Sequence, residues 1–233
     1  MNQILEFLRG LREPTTLSFC IRLTLAMICG GLIGMERGRK RRPAGFRTYM
    51  LVCMGASLAM IISQYLWSDM HQTTDLSRLG AQVINGIGFL GAGTIMVTGK
   101  NQVKGLTTAA GLWASACMGL AIGVGFYTAS LLACLLILIT IIIFSKLEQF
   151  ILSRSRNINL FVEYEFLEDV GDIITCIKSQ NVRIFDVEIS KGKLSEGSYP
   201  SVIISMQLPK KKTHTELLTV LAQLESIRMI EEL

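Results

Sequence analysis

Five stretches of the first 145 residues are almost purely apolar, and each is close to the length needed to cross a bilayer. They run over residues 17–35, 49–67, 79–97, 106–124 and 126–144. A membrane helix needs about 20 largely apolar residues, because the hydrocarbon core is about 30 Å thick. The last two stretches meet at Gly123-Val124-Gly125. One helix through that point would be about twice the bilayer thickness, so a tight reversal is expected there.

After Lys146 the pattern changes to that of a soluble domain. Residues 157–166 alternate apolar and polar at strand period. Val170, Ile173, Ile174 and Ile177 recur at helix spacing, and Val182, Ile184, Val187 and Ile189 mark a second strand. Residues 191–200 read as a turn, and 201–208 as a third strand. Thr213-His214-Thr215-Glu216 is a capping-box pattern ahead of Leu217, Leu218, Leu221 and Leu224. A last strand starts near Ile227. The predicted order is βαββαβ, the ferredoxin-like plan.

The expected architecture is therefore a polytopic α-helical membrane bundle of about five transmembrane helices, followed by a small α+β domain. An N-terminal amphipathic segment covers 1–16, the membrane domain 17–145, a linker 146–156 and the soluble domain 157–233. Residues 1–16 contain Glu6, Arg9, Arg12, Glu13 and Pro14, which interrupt any signal-peptide core.

Charge sets the expected orientation. Only 18% of residues are charged, against about a quarter in soluble domains. The densest basic run, Arg37 to Arg42, lies between the first two apolar stretches. Lys100, Lys104, Lys146, Arg154 and Arg156 follow the third and fifth. Five crossings put all of these on one face, which the positive-inside rule makes the cytoplasm. The N-terminus is then outside. The net charge of +5 thus reflects membrane orientation, and no nucleic-acid partner is expected, because no stacking aromatics are interleaved with the run.

Candidate chemistry is sparse. The six cysteines contain no CxxC pair and read as small packing residues. His71 and His214 are lone, and no hydrolase triad, metalloprotease or phosphate-loop constellation occurs. The reading is non-enzymatic, with no cofactor and no metal site. Gly86-Ile87-Gly88-Phe89-Leu90-Gly91 fits a dinucleotide-binding pattern literally, but lies in a membrane stretch, where that reading fails.

Two polar groups stand out. Arg22 lies inside the first stretch, where a charge costs at least ~2.5 kcal/mol near the centre. By rise per residue it lies ~8 Å from the outer edge, and Asn85 ~9 Å from it on the third stretch. A cluster of Arg22, Gln82 and Asn85 is expected in the outer half, as a ligand contact or a structural clamp between helices. At the inner end, Glu36, Arg37, Arg47, Thr48, Thr94, Thr107 and Thr108 gather, as interfacial bonds or as a cytoplasm-facing site. Gly30, Gly34, Gly86, Gly88, Gly91, Gly93, Gly119 and Gly123 are expected to let helices pack closely.

Four stretches carry a resemblance: RLTLAMICGGLIGMER from Arg22, AGFRT from Ala44, INGIGFLGAGTI from Ile84 and VKGLTTAAGLW from Val103. Together they resemble the MgtC/SapB family of bacterial membrane proteins, over roughly residues 17–145. The soluble domain resembles the ACT-like module of longer members. The resemblance implies a bacterial inner-membrane protein linked to magnesium homeostasis and, in pathogens, to survival in host cells. It also makes the ATP synthase a candidate partner, and a homo-oligomer such as a dimer is expected. Literal magnesium transport fits the residues less well. Magnesium prefers carboxylate and water oxygens, and between Leu17 and Phe144 the acids are Glu36, Asp69 and Asp75, none inside a span. Two readings follow: a modulator of another membrane protein, or a transporter or channel for magnesium or another solute.

Overall fold

The computed structural model describes residues 15–68, 75–98, 102–166, 168–190, 199–209, 214–224 and 226–232. The chain divides into two compact units, Met1–Glu148 and Gln149–Leu233. The expected N-terminal amphipathic segment, apart from Thr15 and Thr16, lies outside the described residues, as do His71 and the capping-box Thr213.

The first unit is built of helices. Helix α1 (Thr16–Arg39) opens on Thr15, whose Oγ1 accepts from the Ser18 amide, satisfying one of the amides a helix start leaves unpaired. It runs past the apolar stretch and ends where the amides of Arg41 and Arg42 bond back to the carbonyls of Gly38 and Arg37. Arg41 takes the left-handed conformation (φ 50°) that this termination requires. Helix α2 (Phe46–Ser68) turns back antiparallel. A Cβ on Gly30 would lie 2.6 Å from the Tyr49 carbonyl, and one on Gly34 2.8 Å from Phe46 Cα, so only glycine admits this crossing.

Helix α3 (Ser77–Ala92) corrects the sequence expectation of a helix over 79–97. It has 16 residues, ~24 Å by rise. It ends in a turn at Gly91-Ala92-Gly93-Thr94, where the Thr94 amide and hydroxyl both donate to the Gly91 carbonyl. The next residues form a small antiparallel hairpin, β1 (Met96–Val97) with β2 (Val103–Lys104). Hydrophobic length alone did not register this local turn chemistry.

Helix α4 (Leu106–Gly123) runs parallel to α2 and rests directly on it. Gly119 abuts Cys53 and Ala56, and a Cβ on Gly123 would lie 2.5 Å from the Ser57 carbonyl. Gly91 of α3 faces Ala109, and Gly80 faces Met60 and Leu120, so α3 lies antiparallel to α4 across most of its length. The reversal at Gly123-Val124-Gly125 is present, with Gly125 at φ 78°. Helix α5 (Tyr127–Ile139) continues through a π-helical segment (Thr140–Phe144) into α6 (Ser145–Arg154). Helices α1 to α5 thus alternate in direction.

Among the described residues, four helices are long and apolar enough to cross a membrane: Thr16–Arg39, Phe46–Ser68, Leu106–Gly123 and Tyr127–Ile151. Their apolar side chains also point outward. Leu51, Leu58, Leu131, Leu132, Leu135 and Leu136 are all exposed, a surface suited to lipid and not to water.

The second unit is an antiparallel four-stranded sheet with two helices. Its elements are β3 (Asn157–Tyr164), α7 (Asp169–Ser179), β4 (Arg183–Ser190), β5 (Ser201–Gln207), α8 (His214–Leu221) and β6 (Ile227–Glu232), in the sheet order β4-β5-β3-β6. Alternate residues Val202, Ile204 and Met206 of β5 and Ile158, Leu160 and Val162 of β3 meet Ile173 and Ile177 of α7 and Leu217 and Leu221 of α8 in one core. Both ring nitrogens of His214 are engaged, by Glu232 Oε1 at 2.8 Å and the Ser155 carbonyl at 3.1 Å.

Candidate functional site: polar groups at the two ends of the helical bundle

Arg22 is fully buried. Its Nη1 donates to Gln64 Oε1 at 2.6 Å and to the Gly123 carbonyl at 2.7 Å, and its Nε to the Tyr127 hydroxyl at 3.3 Å. Gly123 is the last residue of α4, where helical carbonyls lack amide partners. The guanidinium therefore caps a helix C-terminus, where the backbone dipole favours positive charge. Gln82 and Asn85 do not supply this cluster. Both are exposed on α3, which packs chiefly against α2 and α4. Residues that depth arithmetic on the third stretch missed take their place. Gln64 lies four positions before Ser68, the last residue of α2, so the same arithmetic applied to α2 finds it.

The other end holds a cavity of about 770 Å³, lined by Arg37, Arg41, Arg42, Pro43, Met96, Lys104, Gly105, Thr107, Thr108, Thr140, Ile141, Phe144, Ser145 and Glu148. Three of the seven inner-end residues singled out from the sequence line it: Arg37, Thr107 and Thr108. Arg37 is 6% exposed. Its Nη2 donates to Thr108 Oγ1 at 2.8 Å, while its Nε is buried with no hydrogen-bond partner among the described residues. The Tyr49 hydroxyl reaches the Thr108 carbonyl at 3.4 Å. Glu36 instead pairs with Lys40 at 3.3 Å, and Lys40 donates to Ser145 Oγ at 3.0 Å. Arg47 and Thr48 are exposed on α2, and Thr94 serves the turn after α3.

Local structure shapes this cavity. Gly105 has φ 101°, and a Cβ there would collide with the Thr94 carbonyl, so glycine alone fits the start of α4. That helix start has no side-chain cap, which leaves first-turn amides without helical acceptors. The π-helical residues Thr140, Ile141 and Phe144 form part of the wall. π-bulges often mark functional sites. Arg41, Arg42, Lys104 and Glu148 were not singled out from the sequence as site residues, because a basic loop beside an apolar run reads first as an insertion signal.

Among the glycines expected to pack helices, Gly30, Gly34, Gly91, Gly119 and Gly123 contact a neighbouring helix. Gly86 and Gly88 have open space where a Cβ would stand, and Gly93 meets only the carbonyls of Phe89 and Leu90. The cysteines are free, with Cys29, Cys53 and Cys134 buried in the bundle. Among the described residues, no group of three or more His, Cys, Asp or Glu is placed to hold a metal ion.

The profile described as the MgtC family matches residues 23–150. The chain is 41% identical over 149 residues to YhiD of Escherichia coli K12, provisionally named a magnesium transporter, with 62% of this chain and 69% of that protein covered. It is 42% identical over 132 residues to protein MgtC of Salmonella typhimurium, covering 56% and 54%. It is 27% identical over 214 residues to protein SapB of Bacillus subtilis, covering 89% and 91%. No solved structure matches the chain.

Proposed function

The chain belongs to the MgtC family, and from that premise we propose that it is a non-enzymatic modulator of another integral membrane protein, acting in adaptation to low magnesium. The observation that carries this reading is the outward face of α3. Ala81, Asn85, Gly88 and Ala92 recur at helix spacing and are all exposed. A carboxamide facing hydrocarbon without a partner costs several kcal/mol. Small residues flanking a polar one are the recurring means by which membrane helices associate. The face therefore suits a helix from another inner-membrane protein. The ATP synthase is the candidate implied by the family.

Transport of magnesium has less support. The bundle buries Arg22 fully, and a like-charged dication would be repelled there.

We take the chain to cross the membrane five times. α3 and its following hairpin would make the third pass, the N-terminus lying outside and the second unit in the cytoplasm of a bacterial cell. The alternating helix directions and the shared end of Arg37, Arg41, Arg42 and Lys104 support this. For the second unit we propose a ferredoxin-like, ACT-like module that pairs with a second copy. The sheet order supports the fold, and edge strand β4, with Phe185 and Ile189 exposed, supports the pairing.

The test is co-purification from membranes with Asn85→Leu and Gly88→Leu variants. Loss of the associated membrane protein with unchanged thermal stability is the expected result. Retention of the same partners in both variants overturns the reading. Flux of magnesium into liposomes carrying the purified protein alone would favour the transporter instead.

A further inference from the structure

We propose that the basic cavity at the Arg37 end of the bundle binds a phosphate-bearing anion, supplied either by a soluble phosphate compound or by a lipid headgroup. The inference is independent of the partner reading above.

The charge balance comes first. Among the described residues, Arg37, Arg41, Arg42 and Lys104 line the cavity with Glu148 as the single acid, so positive side chains outnumber negative ones by three. None of these four cations is ion-paired among the described residues. Clustered cations repel one another and persist where an anion compensates them.

Arg37 supplies a second and separate observation. Its side chain is buried against the cavity, yet Nε has no acceptor among the described residues. A guanidinium presents a fixed fork of donors that fits a phosphate oxygen pair. A buried donor of that fork is suited to bond an oxyanion entering the cavity.

The start of α4 opens on the same space. Its glycine entry leaves the first turn without a side-chain cap, and uncapped amides at the positive end of an 18-residue helix favour an anion. Arg41 adds a fourth argument. It occupies a left-handed position that glycine normally fills. A side chain retained there against its backbone preference is explained when the charge itself is used. The volume of about 770 Å³ accommodates a diphosphate or a headgroup.

The test uses the full chain in nanodiscs of zwitterionic phosphatidylcholine, titrated with inorganic phosphate and with pyrophosphate by calorimetry. A second set of nanodiscs contains phosphatidylglycerol or phosphatidic acid, with thermal unfolding as the readout. Saturable pyrophosphate binding in the zwitterionic discs identifies a soluble ligand. Stabilisation confined to discs with anionic lipid identifies a headgroup. In either arm Arg41→Gly should weaken the response by about tenfold or more, and Lys104→Gln should do likewise. Arg41→Gly is the informative variant, because glycine relieves the backbone and the fold is retained. Absence of binding and of stabilisation in every arm, or an unchanged response in both variants, overturns the proposal.

Discussion

Arg22 donates a 2.6 Å hydrogen bond from Nη1 to Oε1 of Gln64, tying α1 to α2 inside the bundle. The same nitrogen caps α4 through the Gly123 carbonyl. With the Nε bond to the Tyr127 hydroxyl, four helices thus share one guanidinium. Gln64→Leu removes an acceptor and leaves a buried charged donor short of a partner, a loss of about 1–3 kcal/mol. Arg22→Lys should not preserve stability, because a single ammonium lacks the fork that serves Gln64, Gly123 and Tyr127 together. Unfolding in mixed detergent, followed by circular dichroism, measures both. Wild-type stability in Gln64→Leu would show that the bond carries no weight.

The glycines divide into two classes with opposite expected responses. Gly123→Ala places a Cβ 2.5 Å from the Ser57 carbonyl and 2.8 Å from Met60 Cβ. Backbone cannot give way as a side-chain tip can, so α2 and α4 must separate, at a cost of about 1–3 kcal/mol. Gly86→Ala meets nothing within 4 Å and gains helix propensity, by up to ~1 kcal/mol. A thermal unfolding series on the two variants should therefore show shifts of opposite sign. Equal destabilisation would mean that α3 packs differently.

This division marks where sequence reading stops. The long apolar runs gave α1, α2, α4 and α5 to within a few residues, apart from charged extensions, because a bilayer fixes a minimum length for each. They did not give the end of α3, which a Thr94 back-bond and a hairpin decide. Strand alternation located β3 and β5 because one face of each is buried. Spacing could mark Gly86 and Gly91 alike as packing residues, yet only Gly91 meets a neighbour. Arg22 was legible as a buried charge. Its backbone partner at Gly123 was not, since a carbonyl freed by a helix end has no signature in residue type.

Asp75 governs the start of α3. Its Oδ1 accepts from the Ser77 hydroxyl at 2.7 Å and the Ser77 amide at 2.8 Å. These two bonds, the hydroxyl first, hold the carboxyl below the usual carboxylate range. A depressed acid contributes stability that is present above its unfolded value and is lost as pH falls through its folded one. The helix start should stay ordered at neutral and mildly acidic pH and loosen only in stronger acid. Hydrogen exchange of the Ser77 amide should accelerate in Asp75→Ala at neutral pH and lose its acid dependence. Unchanged exchange in that variant would remove Asp75 as the determinant.

Tyr164 offers the reverse case in the second unit. Its ring is fully buried at the end of β3, but its hydroxyl has no hydrogen-bond partner among the described residues. Burial, and then the nearby Asp169 carboxylate, push the phenol above its ordinary value. An unsatisfied buried hydroxyl opposes folding, so Tyr164→Phe should be neutral or stabilising by about 1 kcal/mol, where loss of a satisfied hydroxyl would destabilise by a similar amount. The sign of the alkaline response follows from the same shift. The unfolded phenol ionises near pH ~10 while the folded one stays protonated, so the wild-type unit loses stability as pH rises through that value. The phenylalanine variant lacks this loss. Unfolding of the two proteins at pH 8 and in the alkaline range compares the slopes directly. A Tyr164→Phe protein that is less stable at pH 8 would mean that the hydroxyl is bonded after all.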